Sequence, residues 1–272
     1  MPHTVTMLAT TTGTQMNSFL IRTESGKTIL MDGGFREDAP KLLEALRRQT
    51  GSDVPHIDAW FLSHVHGDHI RCLFEMMEHH REEFTLGKLC FNFPSLQFME
   101  RNEPGDAPDA ETFYSLLPLF AKETRIVSQG DRYEIGEATF DVLYCPNPAF
   151  TQNAGNNSSV ILRMTLGGKT FLFLGDAGVE EGDALLALYG DGLQSDYCQM
   201  AHHGQNGVEK RVYDAIRPKG CFWCTPLWLW ENDIGKGYNT HVWKTVTVRG
   251  WMDELGVTEH YVMKDGDQTL TL

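Results

Sequence analysis

The chain has 272 residues, 41% of them hydrophobic and 22% charged, with 37 Asp and Glu against 23 Lys and Arg for a formal charge of −14. That length buries a large core, as one domain or two small ones. The acidic balance argues against a broad nucleic-acid or anionic-membrane surface, which needs basic patches, and no apolar run reaches the length of a membrane span. The N-terminus lacks a basic stretch followed by an apolar one, so the expected compartment is the cytoplasm. Six Cys at 72, 90, 145, 198, 221 and 224 read as free thiols rather than a disulfide framework. Cys221 and Cys224 form a lone C-x-x-C in an apolar run, better read as buried thiols on a strand than as half of a zinc site.

In chain order, Val5–Ala9 is a short apolar run, and Ser18–Arg22 and Lys27–Met31 are strands joined by a turn at Glu24-Ser25-Gly26. Asp38 is placed to cap a helix that has Pro40 in its first turn, Leu42, Leu43 and Leu46 on one face and Gly51 at its end. Ile57–Leu62 is a strand running into a His-rich segment. A helix is expected from Ile70 to Glu83 and a strand from Lys88 to Phe93. Residues 94–111, rich in Pro, Glu and Asp, read as a loop or lid, followed by a helix over Glu111–Lys122. Strands are then expected at 124–128, 131–135, 138–144, 158–166, 169–174, Tyr197–Ala201 and Gly220–Cys224. Further helices are expected at Val179–Leu188, Val208–Ile216 and Val242–Leu255. His260–Met263 and Thr269–Leu272 close the chain as short strands. Strand-rich stretches alternate with helices twice, which implies two sheets packed together with helices outside.

The chemistry concentrates in His64-Val65-His66-Gly67-Asp68-His69. By residue frequencies, H-x-H-x-D-H arises by chance in roughly one in a thousand chains of this composition. Imidazole and carboxylate are natural ligands for a divalent transition metal. His64 and His66 stand two apart, so on extended backbone they point the same way. Gly67 permits a sharp turn, and Asp68 and His69 then open a helix and can face a second ion.

With these residues the chain resembles the metallo-β-lactamase fold superfamily. Asp32-Gly33-Gly34 after a strand, Phe171–Asp176 and His202-His203-Gly204 match the family's other motifs in order. The resemblance implies one domain over 1–272, an α/β four-layer αββα sandwich of two mixed sheets. It also implies a two-metal centre: His64 and His66 on one ion, Asp68 and His69 on the other, Asp176 bridging, and His203 completing the second position in preference to His202. The family's mid-chain His is absent, and the equivalent loop reads Gly155-Asn156-Asn157-Ser158-Ser159-Val160. That pattern, with His202-His203-Gly204 and Asn239-Thr240-His241, is similar to the branch containing the hydrolase domains of DNA-uptake competence proteins and a surface phosphorylcholine esterase.

On this reading Asn157 is a weak ligand of the first ion or holds its water. Asp32 fixes the tautomer of a ligand His or is a turn residue. His202 contacts substrate or packs below the site, and His241 donates to a phosphate oxygen or is an ordinary loop residue. Two divalent ions, zinc by default with manganese, iron or nickel as alternatives, would generate hydroxide near neutral pH. Asp68, His202 and His241 are the candidate catalytic groups, with His202 or His241 as proton donor. The expected substrate is a small molecule or phosphodiester. A thioester, lactam or ester hydrolase of the same fold, or a metal-binding sensor without turnover, are the alternatives. Trp228 and Trp230 either wall a pocket beside the site or pack at a strand edge.

Overall fold

The computed structural model describes residues 2–272. The first sheet takes β1 (Thr4–Met7), β2 (Ser18–Arg22), β3 (Thr28–Asp32), β5 (Ala59–Phe61), β7 (Leu89–Phe91) and β8 (Thr124–Ile126), with β4 (His56–Ile57) and β6 (Thr85–Leu86) paired as a small separate ladder. The second takes β9 (Arg132–Ile135), β10 (Ala138–Tyr144), β11 (Ile161–Leu166), β12 (Lys169–Phe173), β13 (Tyr197–Gln199), β14 (Gly220–Trp223) and β15 (Glu259–Val262). The last strand, β16 (Gln268–Thr271), crosses back to pair with β1 at the edge of the first sheet. Each sheet is half antiparallel and half parallel: β3, β5, β7 and β8 run parallel in one, and β12 to β15 in the other.

The helices are α1 (Ala39–Thr50), α2 (Gly67–His79), α3 (Leu96–Asn102), α4 (Ala107–Leu116), α5 (Val179–Tyr189), α6 (Lys210–Ile216), α7 (Leu227–Trp230) and α8 (Thr245–Glu254). None is long and apolar enough to cross a membrane among the described residues. In α1 the leucine stripe is buried, Pro40 sits in the first turn and Gly51 ends the helix in the left-handed region at φ 70°. Asp38 precedes that helix as expected, yet its carboxylate does not cap it. The carboxylate accepts instead from the backbone N–H groups of Thr11 and Phe35, at 2.7 and 3.1 Å.

The two sheets face each other across the main core. Phe19 meets Phe173 edge-on and Phe61 stacks on Phe140. Strand alternation sorts the second sheet: Phe171, Phe173, Phe222 and Cys224 point into this core, while Leu172, Leu174, Cys221 and Trp223 pack outward beneath α5, α6 and α8. Cys221 and Cys224 therefore lie on opposite faces, and all six cysteines are free thiols.

One expectation changes. Residues 94–111 are largely helical rather than a loop. Their polar and Pro residues occupy helix-start positions: the Ser95 hydroxyl accepts from the Phe98 N–H, and Pro108 lies in the first turn of α4. The helix expected from Glu111 begins earlier and tightens into a 3-10 turn at Leu117–Phe120.

Candidate metal centre

The parallel strands of both sheets end at one place. Asp32 closes β3, His64 follows β5, Asp176 follows β12 and His203 follows β13. Carboxyl ends of parallel strands are where open α/β sheets place their ligands. His66 precedes α2, and Asp68 and His69 occupy its first turn, where a carboxylate also suits the helix dipole. That turn is tied down by backbone bonds from Gly33 and Gly34 to the His69 carbonyl and from Asn17 to the Asp68 carbonyl.

Asp68, His69, Asp176 and His203 form one group of converging donors, and His64, His66 and Asp176 form another that shares Asp176. Asp176 lies between them. Its Oδ1 is 3.2 Å from His69 Nε2, and its Oδ2 is 3.3 Å from His203 Nε2 and 4.0 Å from His64 Nε2. Asp68 Oδ2 lies 3.0 Å from His203 Nε2.

The imidazoles are oriented from behind. His69 Nδ1 donates to Asp32 Oδ2 at 2.8 Å, and His203 Nδ1 donates to the Cys224 carbonyl at 3.0 Å. The Ser63 hydroxyl donates to Asp32 at 2.7 Å, so it accepts from His64 Nδ1 at 3.0 Å. Each ring thus spends its N–H outward and turns the Nε2 lone pair inward, the tautomer a metal ligand needs. The Nε2 atoms of His64, His66, His69 and His203, with Asp176 Oδ1, are buried and have no hydrogen-bond partner. Buried polar atoms left unpaired are costly, and a cation at their focus satisfies them together. The donor set fits divalent metal.

The electrostatics agree. Burial, with His69 and His66 nearby, holds His64 well below its ordinary pKa. Burial opposes protonation of His69 and His203 too, but the facing carboxylates, Asp176 foremost, raise His69 strongly and bring His203 up to about 9. Burial pushes Asp68 and Asp176 upward, yet the surrounding imidazoles hold both below the usual carboxylate range. Around Asp68 and Asp176, the raised His69 and His203 and the lowered carboxylates mark a position that attracts positive charge, and metal binding displaces protons from such ligands.

Asp32 is fully buried and serves as the hub of the supporting network. Besides His69 and Ser63 it accepts from Asn17 Nδ2 at 2.7 Å and from the Ser63 N–H at 2.7 Å, with φ at 54°. The His202-His203 turn is likewise strained, at φ 50° and 54°. It leads into Gly204, where a Cβ would lie 2.4 Å from the Trp223 ring. The turn buries His203 fully and leaves His202 18% exposed, its Nε2 3.8 Å from Asp176 Oδ2 and its Nδ1 bonded to the Asn206 carbonyl.

Two expected residues are engaged by other groups. Asn157 is not free to ligate: its Oδ1 accepts from the N–H groups of Gly178 and Glu181, and its Nδ2 donates to the Gln152 carbonyl and Glu180. It clamps the loop after Asp176 to the start of α5. His241 stacks on Trp243, which packs against Trp228, and its backbone is pinned by Asn232. The tryptophans divide: Trp228 lines the open cleft beside His66, Asp68, Gln15 and Arg71, while Trp230 packs on Trp223.

Ser63, Asn17, Gln15 and Arg71 carry no sequence signal of their own. Gln15 donates to Asp68 Oδ2 at 3.1 Å from a polar turn far away in the chain.

Fold and site define an αββα architecture whose donor cluster fits a metal where the ends of its two sheets meet. The model of the Metallo-beta-lactamase superfamily matches residues 11–83. ComE operon protein 3 of Bacillus subtilis is 27% identical over 178 residues, which cover 62% of this chain and 20% of that protein. The chain thus spans about a fifth of the length of that curated relative. Among solved structures, the metallo-β-lactamase fold protein YhfI of Bacillus subtilis superposes with a TM-score of 0.60 at 14% identity, covering 99% of this chain and 100% of that one. CmlA, a diiron β-hydroxylase of Streptomyces venezuelae, gives 0.57 at 13% identity, covering 100% and 54%. Over residues 11–83 the chain is similar to the metallo-β-lactamase superfamily, its fold matches that of superfamily structures, and its similarity to the ComE protein is consistent with the competence-protein branch.

Proposed function

We propose that this protein is a two-metal hydrolase acting on a phosphodiester-type substrate. The observation that carries the reading is Asp176, a buried carboxylate with Oδ1 against His69 and Oδ2 between His203 and His64, so that it touches both histidine sets. That is the arrangement of a ligand shared by two ions. Divalent ions bound there would supply hydroxide near neutral pH and stabilise charge developing on a phosphoryl oxygen.

The chain's own groups do the rest. Asp32 and Ser63 keep the imidazoles in the ligating tautomer. Trp228 and Arg71 flank an open cleft of about 440 Å³ beside His66 and Asp68. The Arg71 guanidinium is bonded to Asp109 and 44% exposed, so it offers an anionic substrate local positive charge on a chain of net charge −14. His202 Nδ1 donates to the Asn206 carbonyl, which turns the Nε2 lone pair toward the centre as a base that can take up a proton and pass it to the leaving group. The resemblance of Gly155–Val160, His202-His203-Gly204 and Asn239-Thr240-His241 to the phosphodiester-acting branch favours this substrate class over thioesters and lactams, and zinc is the first choice of ion by donor chemistry.

Metal analysis of the purified chain should return two ions, and bis(p-nitrophenyl) phosphate should be cleaved faster than thioester or lactam reporters. His66→Ala should abolish that cleavage. Fewer than one ion per chain, or cleavage confined to thioester or lactam reporters, would overturn the reading.

A further inference from the structure

The ion position at His64 and His66 has one imidazole fewer than the family's usual set, and the fold brings a carboxylate to that corner. Glu103, at the end of α3, and Asp106, at the start of α4, form a third converging group with His66. We propose that Asp106 joins His64, His66 and the shared Asp176 as the fourth protein ligand of that ion, standing in for the absent mid-chain imidazole. This rests on the two-metal reading and deepens it.

Three observations support the assignment. First, Asp106 Oδ2 lies 3.6 Å from His66 Nε2. That is too long for a hydrogen bond. It is close to the spacing of about 3.4 Å between two donors that each sit about 2.0–2.1 Å from a tetrahedral ion. Second, the atoms awaiting a partner are on the imidazole side. His64 is fully buried, and the Nε2 atoms of both His64 and His66 are buried and unpaired. Third, the two carboxylates have different tasks. Glu103 Oε2 accepts the Gly155 N–H at 3.2 Å, so it straps the 152–158 loop beside His66. Asp106 heads α4 without making a side-chain capping bond, and its side chain is 35% exposed toward the cleft. It is free to ligate.

Gly155 makes the approach workable. A Cβ there would sit 2.1 Å from His66 Nε2, so only glycine allows the imidazole to lie between the loop and Asp106. The helical segment 96–116 thereby becomes part of the metal centre, with α3 holding the loop and α4 presenting the ligand.

The test is zinc titration of the full-length chain by calorimetry, with ion content measured after gel filtration. The cobalt-substituted protein's d–d absorption reports coordination number. Wild type should bind two ions. Asp106→Ala should keep the ion at Asp68, His69, Asp176 and His203 and bind the other at least tenfold more weakly, with a changed cobalt spectrum. Asp106→His, which restores an imidazole, should recover the second ion. An unchanged melting temperature separates ligand loss from unfolding. Two ions bound by Asp106→Ala with wild-type affinity and spectrum would overturn the assignment while leaving the two-metal reading intact. A wild type that binds a single ion would overturn both.

Discussion

The two halves of the metal centre are built differently. On the Asp68 and His69 side all four donors are buried, drawn from both sheets, and two of the imidazoles are fixed from behind by a carboxylate and a carbonyl. On the other side His64 is equally buried and fixed, but His66 is 15% exposed and packs against a loop glycine and the α3–α4 junction. The closed half resembles a structural metal site, and the open half has the accessible position that catalysis needs. On the proposed two-ion reading, pre-organisation is concentrated at one position and access from the cleft at the other.

The largest way to break this comparison is to remove what both halves share. Asp176→Ala should strip both ions and lower kcat/KM by well over the ~100-fold that losing a supporting hydrogen bond costs. Ion content and turnover check it together, and retention of either ion would show that the carboxylate does not bridge. Next comes the hub. Asp32→Asn should weaken zinc affinity by roughly 10- to 100-fold, with the His69 ion affected more, because Asp32 contacts His69 directly and reaches His64 only through Ser63. Equal loss at both positions would erase that difference.

A finer probe is Gly155→Ala, whose methyl group must displace the His66 ring. It should weaken the ion of the open half several-fold and leave the closed half unchanged, as a two-phase zinc titration would reveal. The smallest effect concerns the scaffold under Asp176. Glu181 is fully buried and accepts the Ser159 N–H, while the Ser159 hydroxyl accepts the Asp176 N–H. Burial raises its carboxyl well above the ordinary value of 4.5. A raised folded-state pKa gives stability that is present below about 4.5 and lost as pH rises through the folded value. Glu181→Gln should therefore flatten the fall in melting temperature between mildly acidic and neutral pH. An identical slope in the variant would assign the pH dependence to another group.

Much of the fold and most of the centre could be read from the chain because their signals are local. Alternation and turns located the strands, leucine spacing located α1, and six consecutive residues carried four donors. Asn157 misled because its motif position says nothing about its hydrogen bonds. Its amide is consumed by the backbone that opens α5, a pairing visible only once the loop is placed beside the helix. Residues 94–111 misled because Pro, Ser and Asp serve helix starts as readily as loops, and two short helices carry weak periodicity.

The sequence by itself determined that a strand delivers His64 and His66 to one point and that a helix begins with Asp68 and His69, since backbone geometry over six residues is set by local sterics. Tertiary structure alone decided the rest. It made Asp32 a hub, turned each Nε2 inward, split Trp228 from Trp230, and carried Asp106 to His66. Asn17 reaches Asp32 across 15 positions and His69 reaches Asp32 across 37, and only the packing of two sheets and their helices fixes distances of that kind.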